Sequence, residues 1–262
     1  MDTPYDFNEI NQTEKNAREK IISTLIFILP LALVYVIGIS LGGLENAING
    51  ADVIFRMIWA FFSSLLGTLI SAIFFWLVII ALIFWIIYLV FEKKQKIDFK
   101  KIILKYFESI GWGLAMAIFL YIGLNWQLPN FFTFETSDSV AQQAVAGGLT
   151  GVWSKIVASI GAGVFEELLF RVLILNGIFM FFIGSKKNTS MEDDMPNFIK
   201  AAAISSLIFE VMHIGTVTSI PGLLFIFLGS LILSFIYLKR GYAVVAGTHI
   251  VFNLILLFGI IS

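Results

Sequence analysis

Residues 56–91 read RMIWAFFSSLLGTLISAIFFWLVIIALIFWIIYLVF, with Arg56 as the only charge. A run of this length and composition has no stable place in water, whereas about 20 apolar residues rising ~1.5 Å each cross the hydrocarbon of a bilayer. Further apolar runs of spanning length lie on either side of it, at roughly 21–43, 109–125, 152–182, 197–215, 220–238 and 241–261. The expected fold class is all-α, a polytopic transmembrane helical bundle of about seven spans, because helices satisfy their own backbone groups in lipid. Dividing 56–91 near Gly67 gives eight. Whole-chain composition agrees, with 59% hydrophobic residues, 13% charged residues and a mean hydropathy of +0.93.

Charge placement sets the orientation. Seven spans with a cytoplasmic N-terminus put Lys15, Arg18, Lys20, the lysines between 93 and 105, Lys186, Lys187, Lys239 and Arg240 on the inner side. Arg56 and Lys155 remain outside, as the positive-inside bias requires. Splitting 56–91 moves the lysine-rich segment outward, so one long tilted crossing is the preferred reading. Domain organisation follows: 1–20 is a cytoplasmic N-terminal segment, 21–125 the N-terminal transmembrane helices, 126–151 an outer loop and 152–262 the helices that carry the chemistry. The expected location is integral and multi-pass, in a bacterial cell membrane. The polar, mixed-charge start of the chain and the length of the first apolar run argue for an uncleaved first span. Cysteine is absent, which removes disulfides, thiolate nucleophiles and Cys-based metal sites. Net charge is −1, with no basic patch for nucleic acid. The expected partners are membrane lipid and a peptide or protein substrate entering from the bilayer; the oligomeric state is left open.

Ionisable residues within spans are costly, about 2.5–3.5 kcal/mol at mid-bilayer on insertion scales, so they are functional candidates by default. Here they concentrate: Glu166, Glu167 and Arg171 in the fourth span, Glu210 and His213 in the fifth, His249 and Asn253 in the seventh. Residues four apart share a helix face. Glu167 can therefore pair with Arg171, leaving the Glu166 carboxylate free in a neighbouring direction. Phe209 can support His213, and His249 and Asn253 stand in line. A single Glu–Arg pair, a single histidine or a single asparagine in a span reads more simply as a brace between helices. The joint occurrence of both histidines with paired glutamates favours a functional site. Glu210 reads more simply as structural, partnered by Lys200 or by water near the interface, or simply protonated.

The strings Glu166-Glu167-Leu168-Leu169-Phe170-Arg171, Phe209-Glu210-Val211-Met212-His213 and His249-Ile250-Val251-Phe252-Asn253 resemble, in order, the three motifs of the CAAX-protease and bacteriocin-processing (CPBP, or Abi) family. The resemblance covers about residues 150–255. It implies an intramembrane peptidase related to type II CAAX endopeptidases, glutamate-dependent or metallo. Glu166 and His213 would activate water, His249 and Asn253 would stabilise the oxyanion, and Glu167 and Arg171 would brace the first helix. Glu210, between Phe209 and His213, is an additional carboxylate.

Glu166, His213 and His249 also have the two-His, one-Glu composition of a catalytic zinc site. The chain lacks His-Glu-x-x-His, however, and its four-residue spacings pair each histidine with Phe209 or Asn253. No cofactor is therefore favoured, with zinc as the open alternative. Two other function classes compete: a non-catalytic membrane scaffold or bacteriocin-immunity protein regulating a partner, and an ion-coupled transporter. The transporter reading ranks lowest because few glycines or prolines break the polar spans.

Overall fold

The computed structural model describes residues 7–42, 50–67, 69–70, 98–127, 149–184, 189–214 and 220–259, with isolated helical positions between 73 and 88. All regular structure among these residues is helical: α1 (Phe7–Gly42), α2 (Gly50–Leu66), α3 (Phe99–Gln127), α4 (Leu149–Gly161), α5 (Asn176–Ile183), α6 (Met195–Val211), α7 (Ile220–Arg240) and α8 (Tyr242–Leu257). Between α4 and α5 the chain winds as π-helix, over Ala162–Glu166 and Leu168–Leu175. Three segments among the described residues are long and apolar enough to span a bilayer: Asn16–Ile39, Phe99–Tyr121 and Ile220–Arg240. Met57–Leu66 and Tyr242–Leu257 are shorter apolar helices.

Several expected boundaries shift. The run 56–91 is not one unbroken helix, since α2 ends at Leu66 and Gly67 takes φ +82°. The fourth span is helical throughout but changes its winding in the middle, so its faces are not those of a straight α-helix. In the fifth span α6 stops at Val211, and Met212–Ile214 form a turn that carries His213. The expected loop at 126–151 falls mostly outside the described residues, as do Lys186 and Lys187.

The chain divides into two compact units, Met1–Pro30 with Ile54–Leu104, and Leu31–Val53 with Lys105–Ser262. In the first, Asp98 Oδ1 accepts the Lys101 N–H at 3.2 Å at the start of α3, and Lys101 Nζ reaches Glu19 of α1 at 3.4 Å. Both contacts are exposed and contribute little.

The second unit contains all three motifs. α8 packs against α4, the π-helical segments and α7, while α6 packs against α5, Leu168–Leu175 and α7. One apolar core joins Met116, Leu120, Phe225, Leu233, Val245, Phe252 and their neighbours; another joins Leu175, Phe179, Phe198, Ala201 and Ala202. Small residues let helices approach α8 at backbone distance, as dispersion-driven packing in a membrane favours. A Cβ at Gly163 would meet the Ala246 carbonyl and Ile250, and one at Gly113 would meet Val251 and the Thr248 carbonyl. Buried hydroxyls bond to carbonyls one turn back on their own helices, Ser109 to Lys105, Ser159 to Lys155 and Ser234 to Ser230, so their presence costs the apolar interior little.

At one end of this unit Arg240 makes a two-pronged pair with Glu108, Nη2 to Oε2 at 2.6 Å and Nε to Oε1, and Lys239 pairs with Glu192 at 3.0 Å. Segments that the charge pattern assigns to one side of the membrane thus meet. Asp194 caps α6 by accepting the Asn197 N–H at 3.3 Å, with Pro196 in the first turn, which sets where that helix leaves the loop.

Candidate functional site

Local folding explains how each polar side chain is aimed. α6 ends two residues before the usual donor for the Phe209 carbonyl: the His213 N–H goes instead to Glu210 O at 2.8 Å. The freed Phe209 carbonyl is met by His213 Nδ1 at 2.7 Å, so the imidazole satisfies a helix-end acceptor. A carbonyl only accepts, so Nδ1 carries a proton, which in the neutral form of the ring leaves the lone pair on Nε2. The Phe209 and His213 rings pack with centroids 4.5 Å apart and an interplanar angle of 33°.

On the π-helical segment the two adjacent glutamates have different environments. Glu167 and Arg171 are both fully buried. Glu167 Oε2 lies 3.1 Å from Arg171 Nε, an ion pair without the alignment of a hydrogen bond. Its other oxygen, Oε1, is 2.7 Å from His249 Nδ1 on α8. Arg171 Nη2 donates to Ser230 of α7, to the carbonyl at 3.1 Å and to the hydroxyl at 3.0 Å. Its guanidinium carbon lies 5.0 Å from the centroid of Phe209, a cation–π contact that compensates for Nη1, which has no hydrogen-bond partner among the described residues. Phe209 is thus the shared wall of the site: Phe170 meets it edge-on at 4.8 Å and His249 lies 6.2 Å away. Ser205 holds this region by donating to the Phe170 carbonyl at 2.8 Å.

Glu166 is 5% exposed and makes no hydrogen bond or ion pair with any described residue. A buried carboxylate without a partner is costly unless water or a ligand meets it. Asn253 stands four residues after His249 on α8, half-buried, without a hydrogen-bond partner among the described residues. The Glu210 carboxylate likewise makes no such bond to a described residue. Lys200 is not its partner: the ammonium lies 3.5 Å from Asn197 Oδ1 and 6.0 Å from the Phe182 ring, near the start of α6. Ten residues of α-helix separate the two by about 15 Å along the axis, which explains the missing pair.

The structure therefore joins Glu167, Arg171 and His249 directly, and stacks His213 on the Phe209 ring that Arg171 covers. Ser230, which anchors Arg171, was not legible in the sequence, because a serine in an apolar span reads as ordinary helix packing. Tyr242 was also missed; its hydroxyl donates to the Val164 carbonyl at 2.7 Å, tying the start of α8 to the π-helical turn before Glu166.

A metal can be tested against this donor set. Among the described residues no three His, Cys, Asp or Glu side chains converge as ligands. His249 Nδ1 faces a carboxylate and His213 Nδ1 faces a carbonyl, as metal-bound imidazoles often do, but Glu166, His213 and His249 do not close into one coordination sphere as they stand.

Comparison with known proteins gives one match. Residues 148–255 match the family model described as type II CAAX prenyl endopeptidase Rce1-like. No curated protein and no solved structure matches the chain. The matched segment runs from the start of α4 to the end of α8 and includes all three polar strings. The match over residues 148–255 is thus a similarity to the same CAAX-protease type that the three motifs resemble.

Proposed function

We propose that the protein is an intramembrane endopeptidase that hydrolyses peptide bonds of membrane-associated or lipidated peptides, with Glu166 and His213 activating the attacking water. The observation that carries this reading is the contrast between adjacent glutamates: Glu167 is consumed by Arg171 and His249, whereas Glu166 is buried and makes no hydrogen bond or ion pair with a described residue. Spent and unspent carboxylates side by side are what a brace and a base require.

In the proposed reaction the Glu166 carboxylate takes a proton from water, with the His213 Nε2 lone pair as the second acceptor. The water oxygen bonds to the scissile carbonyl carbon, and the carbonyl electrons move onto its oxygen. With Nδ1–H donated to Glu167, Nε2 is the ring atom that His249 offers to substrate, and with the ring protonated on both nitrogens its Nε2–H donates to that oxyanion. The Asn253 side-chain amide, on the same face of α8, supplies the second donor. Collapse breaks the C–N bond, and the proton held by Glu166 passes to the leaving amine. Arg171 anchors Glu167, so that His249 stays oriented while charge develops. No step is routed through a metal.

The Rce1-like match favours this reading over a non-catalytic scaffold or immunity protein. The discriminating experiment compares the membrane peptidome of cells carrying the native protein with that of cells carrying Glu166→Ala at equal abundance. Intact precursors should accumulate in the variant. Identical peptidomes alongside an unchanged cellular phenotype would favour the scaffold.

A further inference from the structure

Arg171 and Asn176 both reach from the π-helical segment and the start of α5 to the same neighbour, α7, which carries none of the three motifs. Their partners there are Ser230 and Tyr237, seven residues apart and so two turns along one face. Asn176 has a second task. Its backbone N–H bonds to Leu173 O, three residues back, so it serves neither of the carbonyls four and five residues back that regular α- or π-winding would give it. The side-chain Nδ2 covers both, lying 2.9 Å from Arg171 O and 2.8 Å from Val172 O, and it meets Tyr237 Oη at 2.8 Å. Where π-winding returns to α-winding, one amide thus patches the backbone, and the tyrosine fixes that amide.

We infer that Asn176 and Tyr237, with Ser230, are positioning residues that hold the π-wound register of Leu168–Leu175 and so aim Glu167 at His249. Return of this stretch to α-winding would rotate the chain before it by about 100° per residue absorbed, relative to α5. Such a rotation carries Glu167 away from α8 and turns Glu166 with it. α5 itself cannot follow, because Leu175 and Phe179 are buried against Phe198, Ala201 and Ala202 of α6. The geometric claim is independent of hydrolysis; its consequence for turnover rests on the proposed function.

The chain has two histidines, so full-length protein labelled with ¹⁵N-histidine in lipid nanodiscs gives two imidazoles, assigned with a His213→Gln variant. In Asn176→Leu the His249 Nδ1 resonance should lose its carboxylate hydrogen-bond signature. Tyr237→Phe should move it in the same direction by less, and Asn176→Gln should recover part of the native position. His213, held by a carbonyl of α6, should keep its signals. With a quenched prenylated CAAX-type peptide as probe, kcat should fall by up to about 100-fold in Asn176→Leu while KM changes little. If Asn176→Leu fails to fold, Tyr237→Phe decides alone. An unmoved His249 resonance in the folded variants overturns the inference. Absence of cleavage by the native protein counts against the proposed function only, since the imidazole signals still decide the register.

Discussion

Glu167 Oε1 and His249 Nδ1 lie 2.7 Å apart across the packing of the π-helical segment on α8, both shielded from solvent. Because the other oxygen of Glu167 faces Arg171, one carboxylate ties together two of the three polar strings. This makes Glu167 and Glu166 different in kind, although they are neighbours in the chain.

Neutralising the two glutamates should separate stability from turnover. Glu167→Gln leaves Arg171 buried without its counter-charge and should cost on the order of 3–5 kcal/mol. Glu166→Gln removes no hydrogen bond or ion pair to a described residue and should leave the thermal midpoint in detergent near the native value while abolishing cleavage. Equal thermal losses in the two variants would contradict the division of roles.

Arg171→Lys retains the charge but loses the planar fork that reaches Glu167 through Nε and Ser230 through Nη2. A lysine cannot hold both at once. Thermal unfolding should show a clear loss, with Ser230→Ala giving a smaller one.

Phe209 carries the stack between Arg171 and His213. Phe209→Leu keeps most of the apolar volume yet forfeits the ring contacts, for an expected stability loss of about 1–2 kcal/mol. The sharper effect should be on kcat, since His213 loses the surface against which it is oriented. A variant with native kcat would show that the Phe209 carbonyl alone positions the imidazole.

Gly163→Ala tests the close approach of the π-helical segment to α8. Its methyl would press on the Ala246 carbonyl and Ile250, at a cost of about 1–3 kcal/mol. Gly177→Ala is the control, because a Cβ there meets nothing within 4 Å. Its thermal midpoint should equal or exceed the native value.

Metal removal bears on the reaction directly. Activity should survive metal-free purification and prolonged chelation. Loss on chelation with recovery on adding zinc would reverse this prediction, and would require Glu166, His213 and His249 to close around an ion on substrate entry.

Much of the site was readable as residue types at helical spacing. Glu167 and Arg171 needed only a separation of four to be proposed as a pair, and the order of the three polar strings carried the family resemblance. Spacing also placed Phe209 beside His213, but it could not show how the backbone itself would wind or end. The end of α6 at Val211 moved His213 into a turn, where a freed carbonyl, and not a helical face, orients the ring. Of the alternatives for Glu210, pairing with Lys200 needs a proximity that ten residues of helix do not allow.

By itself, the sequence determined the solvent and the candidate groups: an apolar composition that demands lipid, the helical backbone that lipid imposes, and a small set of ionisable groups too costly to be incidental. Only the tertiary structure decided which groups meet. That choice depends on the π-wound register, on where α6 ends, and on the contacts of α7 and α8 with both. These are set by packing and hydrogen bonds between residues far apart in the chain, which no local pattern of residue types encodes.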